Sequence, residues 1–97
     1  MKPVWLAAAL VAAMALAQHA LAQDGADLAK AKGCLNCHAL DQKKAGPAFK
    51  DIAAKYAGNA DAESTLIAKL KDGKGHMKIA ASDADLKTLV DYVLSTH

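Results

Sequence analysis

At 97 residues the chain is one domain at most, and its apolar content is thin: of the 75 residues from Gln23 onward, 15 are Ala and only 17 are larger apolar or aromatic side chains. A core that small supplies no more than ~3–5 kcal/mol and needs a staple such as disulfides, a metal or a bound group, which excludes multi-domain enzymes, solenoids and large substrate pockets. The same stretch holds 11 Lys against 10 acidic residues and no Arg, so the basic stripe and guanidinium forks of a nucleic-acid binder are missing.

In chain order, residues 1–22 come first. Lys2 supplies a positive start, Val4 to Ala17 form an uncharged apolar run, and Ala20-Leu21-Ala22 sets small residues at the two positions that signal peptidase reads. That is the secretory pattern, with cleavage expected after Ala22. A membrane anchor is the rival. The run of about 14 residues falls short of the ~20 that span a bilayer, and Gln18 and His19 interrupt it. The expected organisation is a cleaved signal peptide, 1–22, and a single domain, 23–97, delivered to a periplasm.

The domain reads as all-α. Asp24 to Lys32 is helix-compatible, with Asp24 and Asp27 suited to the positive end and Gly33 closing it. Asp41 to Pro47 is polar and then turn-forming, hence a loop. Pro47 suits a first helical position and opens a short segment, Ala48 to Tyr56, that Gly58-Asn59 ends. Asp61 to Lys71 is a third helix carrying Leu66, Ile67 and Leu70 on one face. Ser82-Asp83-Ala84-Asp85 resembles a capping box with Asp in place of Glu or Gln. The final helix sets Leu86, Leu89, Val90, Val93 and Leu94 at i, i+3, i+4, i+7 and i+8. No stretch alternates with period two for long enough to be a strand.

The chemistry lies between the first helix and the loop, at Cys34-Leu35-Asn36-Cys37-His38, which holds both cysteines of the chain. Cys-x-x-Cys-His is the covalent attachment pattern for haem c. The thiols of Cys34 and Cys37 add to the porphyrin vinyl groups as thioethers, and the histidine that follows is held beneath the iron to ligate through Nε2. A thioredoxin-like pair would want a strand–loop–helix setting, and structural zinc would want four ligands; neither is present. A covalently attached haem c also supplies the staple that the composition demands. For the other face of the iron the mature chain offers Met77, His76 and His97, of which His97 is terminal.

The haem motif, the stretch Gly46 to Tyr56 and the tail from Ser82 to Ser95 together resemble class I cytochromes c, and most of all the small single-haem periplasmic cytochromes of proteobacteria. The resemblance implies about four helices wrapped around one haem, with the N- and C-terminal helices crossing and Leu28 near Tyr92. It implies that the Pro47 carbonyl accepts the Nδ1–H of His38, fixing the ring and raising its basicity. It also favours Met77 as the distal axial ligand, opposite His38. Here, however, the loop Gly73 to Ile79 is shorter than in the relatives and lacks their prolines. His76 is the alternative, and a bis-histidine haem would have a lower potential.

The function implied is one-electron shuttling between donor and acceptor proteins by a monomer with a six-coordinate iron, no catalytic residues, no small-molecule substrate and no nucleic acid. The alternatives are a haem subunit of a larger dehydrogenase, or an open distal site that binds a small ligand. Phe49, Tyr56 and Tyr92 are read as pocket and core packing. Lys43, Lys44, Lys74 and Lys78 flank the ligand loops, either as a ring that meets acidic partners or as a solvated face.

Overall fold

A computed structural model describes residues 24–97, and the expected signal peptide lies outside the described residues. Helix α1 occupies residues 24–31. Gly33, at φ 77°, turns the chain out of it into a 3₁₀ turn, Cys34–Asn36. Three helices follow: α2 (Phe49–Lys55), α3 (Ala62–Asp72) and α4 (Asp83–Leu94). Among the described residues there is no strand, and the fold is the all-α one.

Local chemistry sets each boundary. α2 begins two residues later than Pro47, with Ala48 extended (ψ 145°) as its cap. The reason is where acceptors lie: the first amides of α2 have no partner inside the helix, and those of Phe49 and Lys50 donate to the carbonyls of Ala39 (2.9 Å) and Leu40 (3.0 Å). The helix therefore starts where the preceding strip of chain can satisfy it. α3 is closed by Gly73 at φ 72°, a left-handed backbone that suits glycine. α4 is opened by Ser82, whose Oγ accepts from the Asp85 amide at 3.1 Å, a bond typically worth ~1 kcal/mol.

α4 is the spine. Its Leu86, Leu89 and Val90 are buried, and it packs against both α2 and α3. Ala29, Phe49 and Leu89 form the centre, with Leu28, Cys34, Leu35, Ile52, Tyr92 and Val93 around them. The Phe49 and Tyr92 rings meet edge to face at 6.1 Å. α1 crosses α4 through Gly25, where a Cβ would stand 2.3 Å from the Tyr92 Cβ and 3.3 Å from the Thr88 carbonyl. Only a bare Cα allows that approach.

Exposed ion pairs tie the surface of α4: Lys71–Asp83 at 3.0 Å, Lys87–Glu63 at 3.3 Å and Lys87–Asp91 at 2.8 Å. Partial burial pushes the Asp91 carboxyl up, but hydrogen bonding with Glu63 and Lys87 and the Lys87 charge outweigh it and hold the group below the usual Asp range.

Two outcomes follow from this packing. Gly25→Ala gains up to ~1 kcal/mol of helix propensity but overpacks the α1–α4 crossing, at ~1–3 kcal/mol. Denaturant titration of the haem-loaded protein should therefore show net destabilisation; an unchanged or raised midpoint would show that the crossing is loose. The depressed Asp91 group confers stability above the ordinary Asp pKa, lost as pH falls through its folded value. Asp91→Asn should flatten the acid limb of stability against pH below about pH 4.

Candidate cofactor site

The 3₁₀ turn presents both cysteines within one tight bend, with the His38 amide bonded back to the Cys34 carbonyl at 3.0 Å. They are not joined to each other; Cys34 is half-buried and Cys37 exposed. Burial pushes the Cys34 thiol up in pKa, against a smaller lowering by a backbone hydrogen bond. The bend therefore offers two thiols and an imidazole from five consecutive residues on one short, rigid segment.

The His38 ring is held on several sides. Its Nδ1–H donates to the Pro47 carbonyl at 2.6 Å. A Cβ on Gly46 would lie 2.4 Å from the ring's Cε1 and 2.8 Å from Nδ1, so the ring rests directly on glycine backbone. Gly46 is itself pinned, its amide donating to the Cys37 carbonyl at 2.7 Å. The Phe49 ring lies 5.4 Å away at 26°. A cavity of about 450 Å³ opens beside His38, with Leu35, Leu40, Ala29 and Tyr92 in its largely apolar wall.

These residues fit a thioether-linked haem. A carbonyl oxygen only accepts, so the His38 proton sits on Nδ1 and Nε2 presents a lone pair; a metal-ligating histidine is held in this way. Apolar walls suit a porphyrin face. Among the described residues no group of three or more His, Cys, Asp and Glu gathers as a metal site, so structural zinc has no candidate set.

On the other side, the segment after α3 is anchored by the Ile79 amide to the Leu70 carbonyl at 2.8 Å and by Lys32 Nζ to the Ala80 carbonyl at 3.1 Å. It brings the His76 ring to 6.1 Å from that of His38, centre to centre, with the two planes only 6° apart. His76 Nδ1–H donates to the Met77 carbonyl at 2.7 Å. Met77 is exposed, and so is His97.

Of the aromatic residues, Phe49 is buried and Tyr92 packs on the core, whereas Tyr56 lies beyond α2 under the Lys55 ammonium, 5.6 Å from its ring centre. Lys43, Lys74 and Lys78 are exposed; Lys44 spends its ammonium on the Leu35 carbonyl at 2.9 Å. Two features escape sequence reasoning, the contact of Gly46 with the His38 ring and the Lys44 tether. The Gly-Pro dipeptide marks a turn without saying which ring lies on it.

The family model described as cytochrome c matches residues 22–97. Cytochrome c-551 of Pseudomonas aeruginosa is 45% identical, with 98% of each chain covered. Cytochrome c-552 of Nitrosomonas europaea is 41% identical at the same coverage. Among solved structures, the class 1 cytochrome MtoD of Sideroxydans lithotrophicus ES-1 superposes with a TM-score of 0.71 at 36% identity, over 76% of this chain and 94% of that one. The Nitrosomonas europaea cytochrome c552 crystal structure gives 0.66 at 44% identity, over 74% and 99%.

The close seat of His38 is open to test. Gly46→Ala should push the ring off the Pro47 carbonyl and lower the thermal midpoint of the haem-loaded protein, with a shifted His38 ring resonance by NMR. An unmoved resonance would mean that the backbone at 46 yields instead.

Proposed function

The chain belongs to the cytochrome c family and carries one covalently attached haem c for electron transfer, and we propose that it works as a periplasmic one-electron shuttle with a six-coordinate iron. In this reading Cys34 and Cys37 form the thioethers, His38 is the proximal ligand through Nε2, and Pro47 orients it. The sixth ligand is Met77, with its neighbour His76 as the alternative. The observation that carries the reading is the His38 ring, clamped by Pro47 and Gly46 with Nε2 left as acceptor, directly after Cys37.

Bound haem supplies a ferric/ferrous couple in an apolar setting. The protein's part is positional. The thiols hold the porphyrin edge, and the hydrogen bond from Nδ1 raises the basicity of the His38 ligand. Side chains of this chain held on both sides of the group would keep its surroundings alike in the two oxidation states, and so keep reorganisation small. No set of side chains in the site is arranged for acid–base or nucleophilic catalysis, and a carrier needs none. The exposed Lys43, Lys74 and Lys78 are the groups we assign to docking on acidic redox partners, with the protein acting as a monomer. For export, the positive start, the apolar run and the small residues at Ala20 and Ala22 support cleavage after Ala22 and a mature protein starting at Gln23.

The reading is tested by redox titration of the purified holoprotein, which should follow a reversible one-electron curve, with no uptake of carbon monoxide by the ferrous form at rest. Ready binding would instead favour an open-site haem protein. Electron exchange with an acidic partner should slow as salt rises, because the screening length falls from ~10 Å at 0.1 M to ~3 Å at 1 M; a flat rate would dismiss the lysines. The mass of the exported protein should correspond to residues 23–97.

A further inference from the structure

We propose that Lys32 is a positioning residue for the cofactor site: its ammonium latches the strap that carries His76 and Met77, residues 73–82, to the end of α1 and so to the cysteine bend. The inference rests on the electron-carrier reading, which needs that strap held in one place.

Lys32 is fixed at its base. Its amide donates to the Leu28 carbonyl at 2.9 Å and the Gly33 amide to that of Lys30 at 3.2 Å, so Lys32 closes α1 just before the chain turns at Gly33 into the bend. A lysine in that place ordinarily turns its ammonium to the last carbonyls of its own helix or to water. Here Nζ instead donates to the Ala80 carbonyl at 3.1 Å, 48 residues along the chain. Lys32 is half-buried, as befits a long stem laid along the surface with its charge at the tip.

The strap has few other restraints. Residues 77–82 form no helix, strand or turn, and no proline fixes a φ angle between Gly73 and Ser82. The Ile79 amide bonds to the Leu70 carbonyl at 2.8 Å, which returns the strap to α3. His76 bonds within the strap, to Met77, and Ser82 caps α4. Among the described residues, Lys32–Ala80 is therefore the one hydrogen bond that joins residues 73–82 to the half of the chain holding Cys34, Cys37 and His38. A charged donor makes the stronger kind of hydrogen bond. In a segment with so few bonds, one of them decides how often it opens.

Position gives the bond its role. Lys32 stands two residues before Cys34, and Ala80 three residues after Met77. The tether thus sets the spacing of bend and strap at a point close to both, where a lysine elsewhere on the surface would fix neither.

The test compares wild-type, Lys32→Leu and Lys32→Arg holoproteins. Hydrogen exchange at the Ile79 amide reads the latch directly, because that bond lies one residue from Ala80. In Lys32→Leu it should quicken about tenfold, the scale on which one charged hydrogen bond weighs, while the Leu89 and Val90 amides of α4 keep their wild-type rates. Uptake of added imidazole by the ferric haem, which requires the strap to open, should rise by a similar factor. Lys32→Arg keeps a charged donor and should return both rates toward wild type. The proposal is overturned by an Ile79 amide as slow in Lys32→Leu as in the wild type, or by unchanged imidazole uptake. It is equally overturned if Ile79, Leu89 and Val90 quicken together, which would make Lys32 a general stabiliser. The carrier reading fails separately, if the wild type does not exchange one electron reversibly or takes up carbon monoxide at rest; the Ile79 amide reports on Lys32 in either case.

Discussion

One imidazole held rigidly beside two thiols is the constraint around which the rest of the chain is arranged. His38 is bonded to the Pro47 carbonyl at 2.6 Å and rests on the bare Cα of Gly46. For that to hold, the loop must close on itself, which the 2.7 Å bond from the Gly46 amide to the Cys37 carbonyl does. The carbonyls of Ala39 and Leu40 then receive the first amides of α2, so the strip carrying the histidine and the helix carrying Phe49 are built as one piece. Phe49 in turn packs under His38 and against Tyr92 of α4. The ring is thus connected to the main core within two contacts.

That core is small. Its buried hydrophobic residues are Ala29, Ala48, Phe49, Ala62, Leu86, Leu89 and Val90, three of them alanines, and alanine contributes little apolar area. A covalently attached haem c is the large apolar body such a chain requires, and Leu35, Leu40 and Tyr92 line the cavity beside His38. Small side chains then have a second use. Gly25 and Ala29 let α1 cross α4 closely, which keeps the cysteine bend, only a few residues beyond α1, in a fixed position relative to α4. Economy of side chains and precision at the site are the same feature of this fold.

Electrostatics are peripheral by comparison. The ion pairs around Lys71 and Lys87 are exposed, and surface pairs of this kind contribute little. Lysines near the site are not equivalent: Lys44, which composition alone groups with the docking candidates, is tied to the Leu35 carbonyl and braces the cysteine bend. Its neighbour Lys43 is free to face solvent. A linear reading cannot separate two adjacent lysines, because what separates them is whether a carbonyl lies within reach.

Much of this protein was determined by sequence alone. The Cys34–Cys37–His38 spacing dictates covalent haem, because five consecutive residues need no distant partner to present two thiols and an imidazole. The apolar register of α4 and the serine cap at Ser82 are equally local, and both appear where periodicity and capping chemistry put them. Tertiary structure alone decided the rest. Pro47 stands two residues ahead of α2, not at its first position, because the acceptors for the helix's amides lie on the preceding strip. Gly46 supports the His38 ring, a contact no motif announces. The distal side is the sharpest case. His76 and Met77 are neighbours, both able to bind iron, and only the family resemblance of the sequence orders them, in favour of Met77. Where this pair stands relative to His38 depends on the left-handed turns at Gly73 and Gly75 and on the anchors at Ile79 and Ala80, because side-chain direction is set by backbone path, and the path here is set by contacts with residues far along the chain.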